Sequence, residues 1–355
     1  MPRDGDRRLR LRFEHTRYGH WGGRSGYPRL VEYFDPELII VQRHGAADSD
    51  DEISPWLRPL KPALRAMLRR RPMQWYKVSD LSAEFCALGE CLAGRVDLLH
   101  FLDGEHSGQF LPRLLRRAGS RVKTVASFHQ PPDLLERLVD PALLAHFDRI
   151  VLMSPSQRPY FEGRVADHTL SVILHGVDTD FFHPSEGKQP TGALRCVTAG
   201  HWLRDWRLFR SVAERLPEVE FHVVTSHETG AADLANVFHH QGVDDPTLAE
   251  LYRSADILFL PLINTTANNA LLEGLASGLP VVTTELESTH AYLNGDERFL
   301  TPSGDAEACA AAIRRLQADP ILRSRMGQAA RRRAEELSWP RIAEQYTALY
   351  KGLLS

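Results

Sequence analysis

The chain has little cysteine: Cys86, Cys91, Cys196 and Cys309 are scattered over 355 residues without a paired spacing. That excludes a disulfide scaffold and a zinc site built on cysteine pairs, and it suits a reducing compartment. No apolar run approaches the roughly 20 residues that a membrane-spanning helix needs. Charge of neither sign is in excess, since 43 basic and 46 acidic residues leave a formal charge of -3. A nucleic-acid partner is therefore not expected. The Arg-rich N-terminus lacks the apolar stretch of a signal peptide, so the expected location is the cytoplasm. Repeats, coiled-coil heptads and low-complexity tracts are missing as well.

What the chain does have is alternation. Short apolar runs at Leu9–Phe13, Leu38–Val41, Trp75–Val78, Asp97–Leu102, Thr124–Phe128, Ile150–Met153 and Ser171–Leu174 read as parallel strands buried on both faces. A second series comes after them at Leu194–Thr198, Glu220–Thr225, Asp256–Leu260, Val281–Thr283 and Arg298–Leu300. Helical stretches separate them, including 57–71, 110–118, 206–215, 246–254 and 306–316, and two more close the chain at 321–337 and 339–354. The turn-rich segment His183–Gly192 reads as a linker. The expected architecture is α/β, with two doubly wound, Rossmann-like parallel-sheet domains facing a cleft. The expected boundaries are 1–185 for the first domain, 186–338 for the second and 339–355 for a last helix. In such folds ligands bind beyond the carboxyl ends of the strands.

The most informative stretch is NTTANNALLEGLASGLPVVTTE, Asn264–Glu285. A polar loop, 264–269, runs into a helix over about Ala270–Ser277, which Gly278 and Pro280 end before the strand at Val281. A loop feeding a helix N-terminus aims unpaired N–H groups and the positive end of the helix dipole at one point, which suits a diphosphate. Glu273, one turn in, is placed to accept hydrogen bonds from a ribose diol. Asn268 and Asn269 are placed to read sugar hydroxyls or to cap the helix, and capping accounts for one of them.

This stretch resembles the nucleotide-sugar signature of the family 4 retaining glycosyltransferases. Glu273 matches the second of that signature's two glutamates, and Leu275, Ala276, Gly278, Pro280, Val281 and Val282 match its later positions. Thr265 stands where the first glutamate belongs. The segments Val172–Pro184 and Gly242–Pro261 resemble the family's domain closure and the approach to its donor signature. The resemblance implies the GT-B fold, with 339–355 crossing back onto the first domain. It also implies transfer of a sugar from a UDP- or GDP-linked donor to an acceptor hydroxyl with retention, with no cofactor and no metal.

On that resemblance further residues gain roles. Gly22, Gly23 and Gly26 form a glycine loop after the first strand, able to approach a phosphate, with Arg24 beside it. His129, at the end of the strand 124–128, is expected near the transferred sugar, where it would steady charge. His201 and Trp206 occupy the places of an Arg and a Lys that bind the leaving diphosphate in the family. Arg204 is the preferred substitute, because guanidinium binds phosphate bidentately. The donor set is then Gly22, Gly23, His201, Arg204, Gly242, Val243, Asn268, Asn269, Ala270, Leu271 and Glu273, with His129, Arg204 and Glu273 as the catalytic candidates. His100 and the run Asp103–Gly108 are candidates on the acceptor side.

The segment 55–77 holds Arg58, Lys61, Arg65, Arg69, Arg70, Arg71 and Lys77 without an acidic residue. Its apolar stripe, Leu57, Leu60, Leu64, Met67 and Leu68, reads first as core-facing. The other reading is peripheral contact with the inner face of a membrane, which would go with a lipid-linked acceptor rather than a small molecule or glycan. Two other functions fit the same architecture. One is a catalytically lapsed protein that binds nucleotide or glycan, and the other is a nucleotide-sugar epimerase.

Overall fold

The computed structural model describes residues 8–18, 23–53, 55–69, 74–185 and 192–355. By their contacts the residues fall into two compact units. The first comprises Met1–Trp21, Tyr27–His175 and Pro340–Ser355, and the second Gly22–Gly26 and Gly176–Trp339. The expected linker lies largely on 186–191, outside the described residues.

The first unit holds β1 (Leu9–Arg17), β2 (Ile39–Ala47), β3 (Leu98–Phe101), β4 (Lys123–Phe128), β5 (Arg149–Leu152) and β6 (Leu170–Val172), all parallel, in the order β2-β1-β3-β4-β5-β6. Chain direction across the sheet reverses between β1 and β3, the switch point of this order. Leu99, Phe101, Ala126, Phe128, Ile150 and Leu152 form the centre of the core on one face. The last helix, Trp339–Leu354, brings Tyr346 and Tyr350 to this unit. There the Tyr350 hydroxyl lies 2.6 Å from His100 Nδ1, while His100 Nε2 lies 2.8 Å from Ser127 Oγ. His100 is thus fully buried, and burial pushes its pKa down to about 3. This corrects its expected place on the acceptor side: Nδ1 fastens the last helix to the sheet, and Nε2 is held by Ser127 of β4.

Two further expectations change in this unit. Trp75–Val78 is not a strand. Instead the Lys77 N–H donates to Asp80 Oδ2 at 2.7 Å and Val78 opens a helix, Val78–Leu92. The stretch 57–71 contributes a shorter helix, Lys61–Leu68, after a 3-10 turn at Pro55–Leu60. Leu57 and Leu68 pack with Ile53, Tyr76, Val78 and Leu81, whereas Leu60 and Met67 are exposed. Its cations meet the acidic run just upstream: Arg65 Nε donates to Asp50 at 2.5 Å, Lys61 pairs with Asp51, and Lys77 lies 3.9 Å from Asp48. Three cations of the stretch, Lys61, Arg65 and Lys77, are therefore matched by carboxylates of its own unit.

The second unit holds β7 (Arg195–Ala199), β8 (Glu220–Val224), β9 (Val237–His240), β10 (Ile257–Leu260), β11 (Val281–Thr284) and β12 (Arg298–Thr301), again all parallel, in the order β12-β11-β10-β7-β8-β9. Read from its first strand this is the 3-2-1-4-5-6 order of dinucleotide-binding domains, with the switch point between β7 and β10. β9, at the edge, was not expected from the sequence. The helix Asn269–Ala276 leaves the β10 loop and is buried along nearly its whole length. It lies so near β10 that a Cβ on Gly274 would stand 2.6 Å from Leu258 Cδ2. Its C-terminus closes on Gly278, whose φ of +73° suits glycine. From the helix Pro320–Glu336, Arg331 Nη1 donates to the carbonyls of Thr179, Phe182 and Ala276.

Gly274→Val is expected to lower the stability of this unit by about 1–3 kcal/mol, the cost of overpacking a closed core. Thermal unfolding measures it, and an unchanged midpoint would show that the helix does not sit this close to β10.

Candidate functional site

The loops leaving β7 and β10 straddle the switch point and are tied to each other. Arg204 and Leu262 form an antiparallel bridge, the Ile263 N–H donates to the Leu203 carbonyl at 2.9 Å, and the Asp205 N–H to the Pro261 carbonyl at 3.0 Å. Leu203 takes the left-handed region at φ 55°, unusual for a branched side chain. Trp202 and Ile263 stand exposed on this pair of loops.

Arg204 lies under the loops rather than on them. Its Nε and Nη2 donate to the Ala199 carbonyl at 3.2 and 2.6 Å, Nη1 to the Trp202 carbonyl at 3.1 Å, and Nη2 to Asn268 Oδ1 at 3.3 Å. Burial pushes its pKa down to about 10, only partly offset by Tyr252 and Glu273. Among the described residues no carboxylate lies within ion-pair distance of it. Asn268 also caps the helix Asn269–Ala276, its Oδ1 accepting from the Leu271 N–H at 3.2 Å. One side-chain oxygen thus joins the arginine to the helix N-terminus. The N–H groups of Asn269 and Ala270 fall in the first turn, which no intrahelical carbonyl serves.

Glu273 is buried one turn further in. Ser25 Oγ donates to its Oε1 at 2.6 Å and the Tyr252 hydroxyl to its Oε2 at 3.0 Å. Burial raises its pKa, and these two hydrogen bonds only partly counter that. Each carboxylate oxygen has a second lone pair, so the group can accept further donors. Glu273 lines a hollow with Ser25, Gly26, Asp178, Asn269 and Trp339. The glycine loop reaches this hollow within the second unit: the Arg24 N–H donates to Asp245 Oδ2 at 3.0 Å, and the Arg24 guanidinium lies 3.7 Å from Asp178. Gly26 has φ +85°. Gly22 lies outside the described residues, while Gly23 sits 3.7 Å, measured from an added Cβ, from Asp245.

The structure therefore brings together Gly23, Arg204, Asn268, Asn269, Ala270, Leu271 and Glu273 around the switch point. His201 leaves the end of β7, and its ring stacks on His227, a residue that no sequence pattern singled out. Gly242, at φ +61°, and Val243 precede the helix Asp245–Ser254. Thr265, at the missing glutamate's place, is buried with its N–H on Asn264 Oδ1. His129 belongs to the first unit, at the exit of β4. Its N–H donates to Glu105, its ring lies 4.3 Å from that of Tyr27, and neither ring nitrogen makes a hydrogen bond among the described residues. Burial alone would raise the pKa of Glu105, but His129 and the backbone N–H groups hold it below the usual carboxylate range. Beside it, His106 Nε2 lies 2.7 Å from the Tyr18 hydroxyl and its ring packs on Trp75. Among the described residues no cluster of three or more ligating side chains could hold a metal ion.

Comparison with known proteins places these features in a class. Sucrose-phosphate synthase from Thermosynechococcus elongatus superposes with a TM-score of 0.74 at 16% identity, covering 98% of this chain and 99% of that one. An Anabaena protein solved in complex with UDP-glucose superposes at 0.67 with 13% identity, covering 97% and 100%. The chain has the two-sheet GT-B fold of these proteins.

Residues 201–319, within the second unit, match the family described as Glycosyl transferases group 1. The MMP alpha-(1->4)-mannosyltransferase of Mycolicibacterium hassiacum is 29% identical over 54% of this chain and 50% of its own length. The D-inositol 3-phosphate glycosyltransferase of Streptomyces avermitilis is 32% identical over 52% and 47%. The chain spans about half the length of the curated relatives it matches.

Proposed function

We propose that the protein is a retaining glycosyltransferase that moves a sugar from a UDP- or GDP-linked donor to an acceptor hydroxyl without a metal. The observation that carries this reading is the junction at Asn268. There a buried guanidinium with no carboxylate within ion-pair distance among the described residues meets the N-terminus of the helix Asn269–Ala276 at the β7/β10 switch point. Positive charge held in place before an anion arrives favours the developing charge of a leaving diphosphate, and does so without reorganisation. Glu273 would accept from the ribose diol, and His129 would face the transferred sugar. The acceptor would be a small molecule, a glycan or a lipid-linked sugar, and the first unit would hold it. The proposed location is the cytoplasm, with any contact with the inner membrane face through 55–77.

Calorimetric titration with UDP, GDP and ADP, without added metal, tests the donor site. One nucleotide is expected to bind with a dissociation constant in roughly the micromolar range, and silence from all three overturns the reading. A second reading, a lapsed protein that binds donor without turning it over, is favoured by the lack of any carboxylate in the loop 261–268. It predicts nucleotide binding but no release of free nucleotide from sugar nucleotides.

A further inference from the structure

β7 and β8 are neighbours in register, with Ala199 opposite Val224. The Gly200 N–H donates to the Val224 carbonyl at 3.0 Å, which holds the two exits together. Two residues past the end of β7 stands His201, and three past the end of β8 stands His227. Their rings lie face to face, 3.8 Å between centroids and 8° from parallel. His227 is exposed and His201 half-buried, so both reach solvent. The N–H of His227 donates to Thr225 Oγ1 at 3.2 Å, which fixes the turn that presents the second ring.

We infer that His201 and His227 act as one proton-accepting pair that binds the donor diphosphate, so that a proton is taken up when the anion binds. The inference rests on the donor reading above and adds to it the residue His227 and a linkage to pH. Two neutral imidazoles stack readily, but two imidazoliums at this separation repel, so the pair holds at most one proton easily. An anion at the edge of the stack favours the protonated form. Near neutral pH that proton comes from solvent. Arg204 is held back from swinging outward, because four of its five N–H donors are engaged by Ala199, Trp202 and Asn268.

Among the described residues, the other charged and titratable groups on the flanking elements are the following. On the His201 segment Asp205 is occupied in capping the helix Trp206–Arg215 through the Leu208 N–H, and Arg207 is exposed. On the His227 segment Glu228 is exposed. On β9 His239 Nε2 lies 2.8 Å from Thr229 Oγ1, and His240 Nε2 lies 3.0 Å from Nδ1 of His222 on β8. The β10 loop, 261–268, carries no charged residue, and beyond β9 Asp244 caps the helix Asp245–Ser254 through the Thr247 N–H. Of these side-chain types only histidine ordinarily titrates between about pH 5.5 and 8, and substitution at 201 and 227 separates the stacked pair from the histidines of β8 and β9.

The test is isothermal titration of the whole chain with UDP-glucose, GDP-mannose and ADP-glucose, whose phosphates do not titrate in this range. Measurement at about pH 5.5 and about pH 8 should show the bound nucleotide sugar gaining roughly tenfold in affinity at the acid end. Near pH 7, buffers of different ionisation enthalpy should report uptake of up to about one proton. His201→Gln and His227→Gln, both at accessible positions, should each flatten the profile. Binding that ignores pH, or a pH profile that survives either substitution, overturns the pair while leaving the donor reading intact. No binding of any of the three at either pH overturns both.

Discussion

Arg204→Ala should cost the second unit about 2 kcal/mol of stability, and nucleotide binding should fall by a further tenfold or more. Four hydrogen bonds from a charged group are lost, and three oxygens, on Ala199, Trp202 and Asn268, are left short of donors. At about 1–2 kcal/mol per bond the gross loss is roughly 5 kcal/mol. Against it stands relief of a buried cation: a pKa pushed from 12.5 to about 10 corresponds to roughly 3 kcal/mol of disfavoured charge. The hydrogen bonds win, but narrowly. Chemical denaturation of the apo protein reads the first effect, and titration with the nucleotide that binds reads the second. If the variant is destabilised but binds nucleotide as the parent does, Arg204 is a latch for the two loops and not part of the donor site.

Glu273→Gln separates binding from stability more sharply. Glutamine keeps the shape and can still accept from Ser25 or Tyr252, but it loses the charge that strengthens hydrogen bonds to a diol. The expected loss of nucleotide affinity is about 1–3 kcal/mol, roughly fivefold to a hundred-and-fiftyfold. Stability should move the other way as pH rises. Burial raises the pKa of Glu273 in the folded state above its ordinary value of 4.5. Its contribution is therefore fully present below about pH 4.5 and is lost as pH climbs through the raised value. The glutamine variant has no such loss, so above that range it should equal or exceed the parent in thermal stability. An unchanged dissociation constant would remove Glu273 from the donor site, and parallel stability profiles would show that its carboxylate is not strained by burial.

Much of the fold could be read in advance because parallel strands buried on both faces leave short apolar runs. Val281–Thr284 and Glu220–Val224 stand where such runs predicted them. β9 escaped because Val237–His240 is an edge strand with one residue exposed and two half-buried, so VFHH carries no long apolar run. Trp75–Val78 misled for the opposite reason. Aromatic and β-branched residues suggested a strand, but the Asp80 carboxylate, capping the Lys77 N–H, made Val78 the start of a helix.

In the site, Asn268 and Glu273 were legible because a loop, a helix and a glycine stop lie consecutively in the chain. The fate of the Arg204 guanidinium was not, since a buried arginine bound to carbonyls and an arginine awaiting phosphate share one sequence. His227 could not be found at all from spacing. It meets His201 only because β8 is the neighbour of β7, a fact of sheet order. The same holds for Asp48–Asp51, whose carboxylates answer the basic stretch only after folding.

Arg331 anchors, from far along the chain, the helix that Asn268 caps. Its guanidinium grips the last carbonyl of the helix whose other end carries Asn268, and with the same nitrogen holds the backbone at Thr179 and Phe182. The helix is only eight residues long, so its two anchored ends stand about 12 Å apart. On the donor reading proposed above, Arg331→Ala is expected to loosen the C-terminal anchor of this helix without touching a group that a ligand would contact.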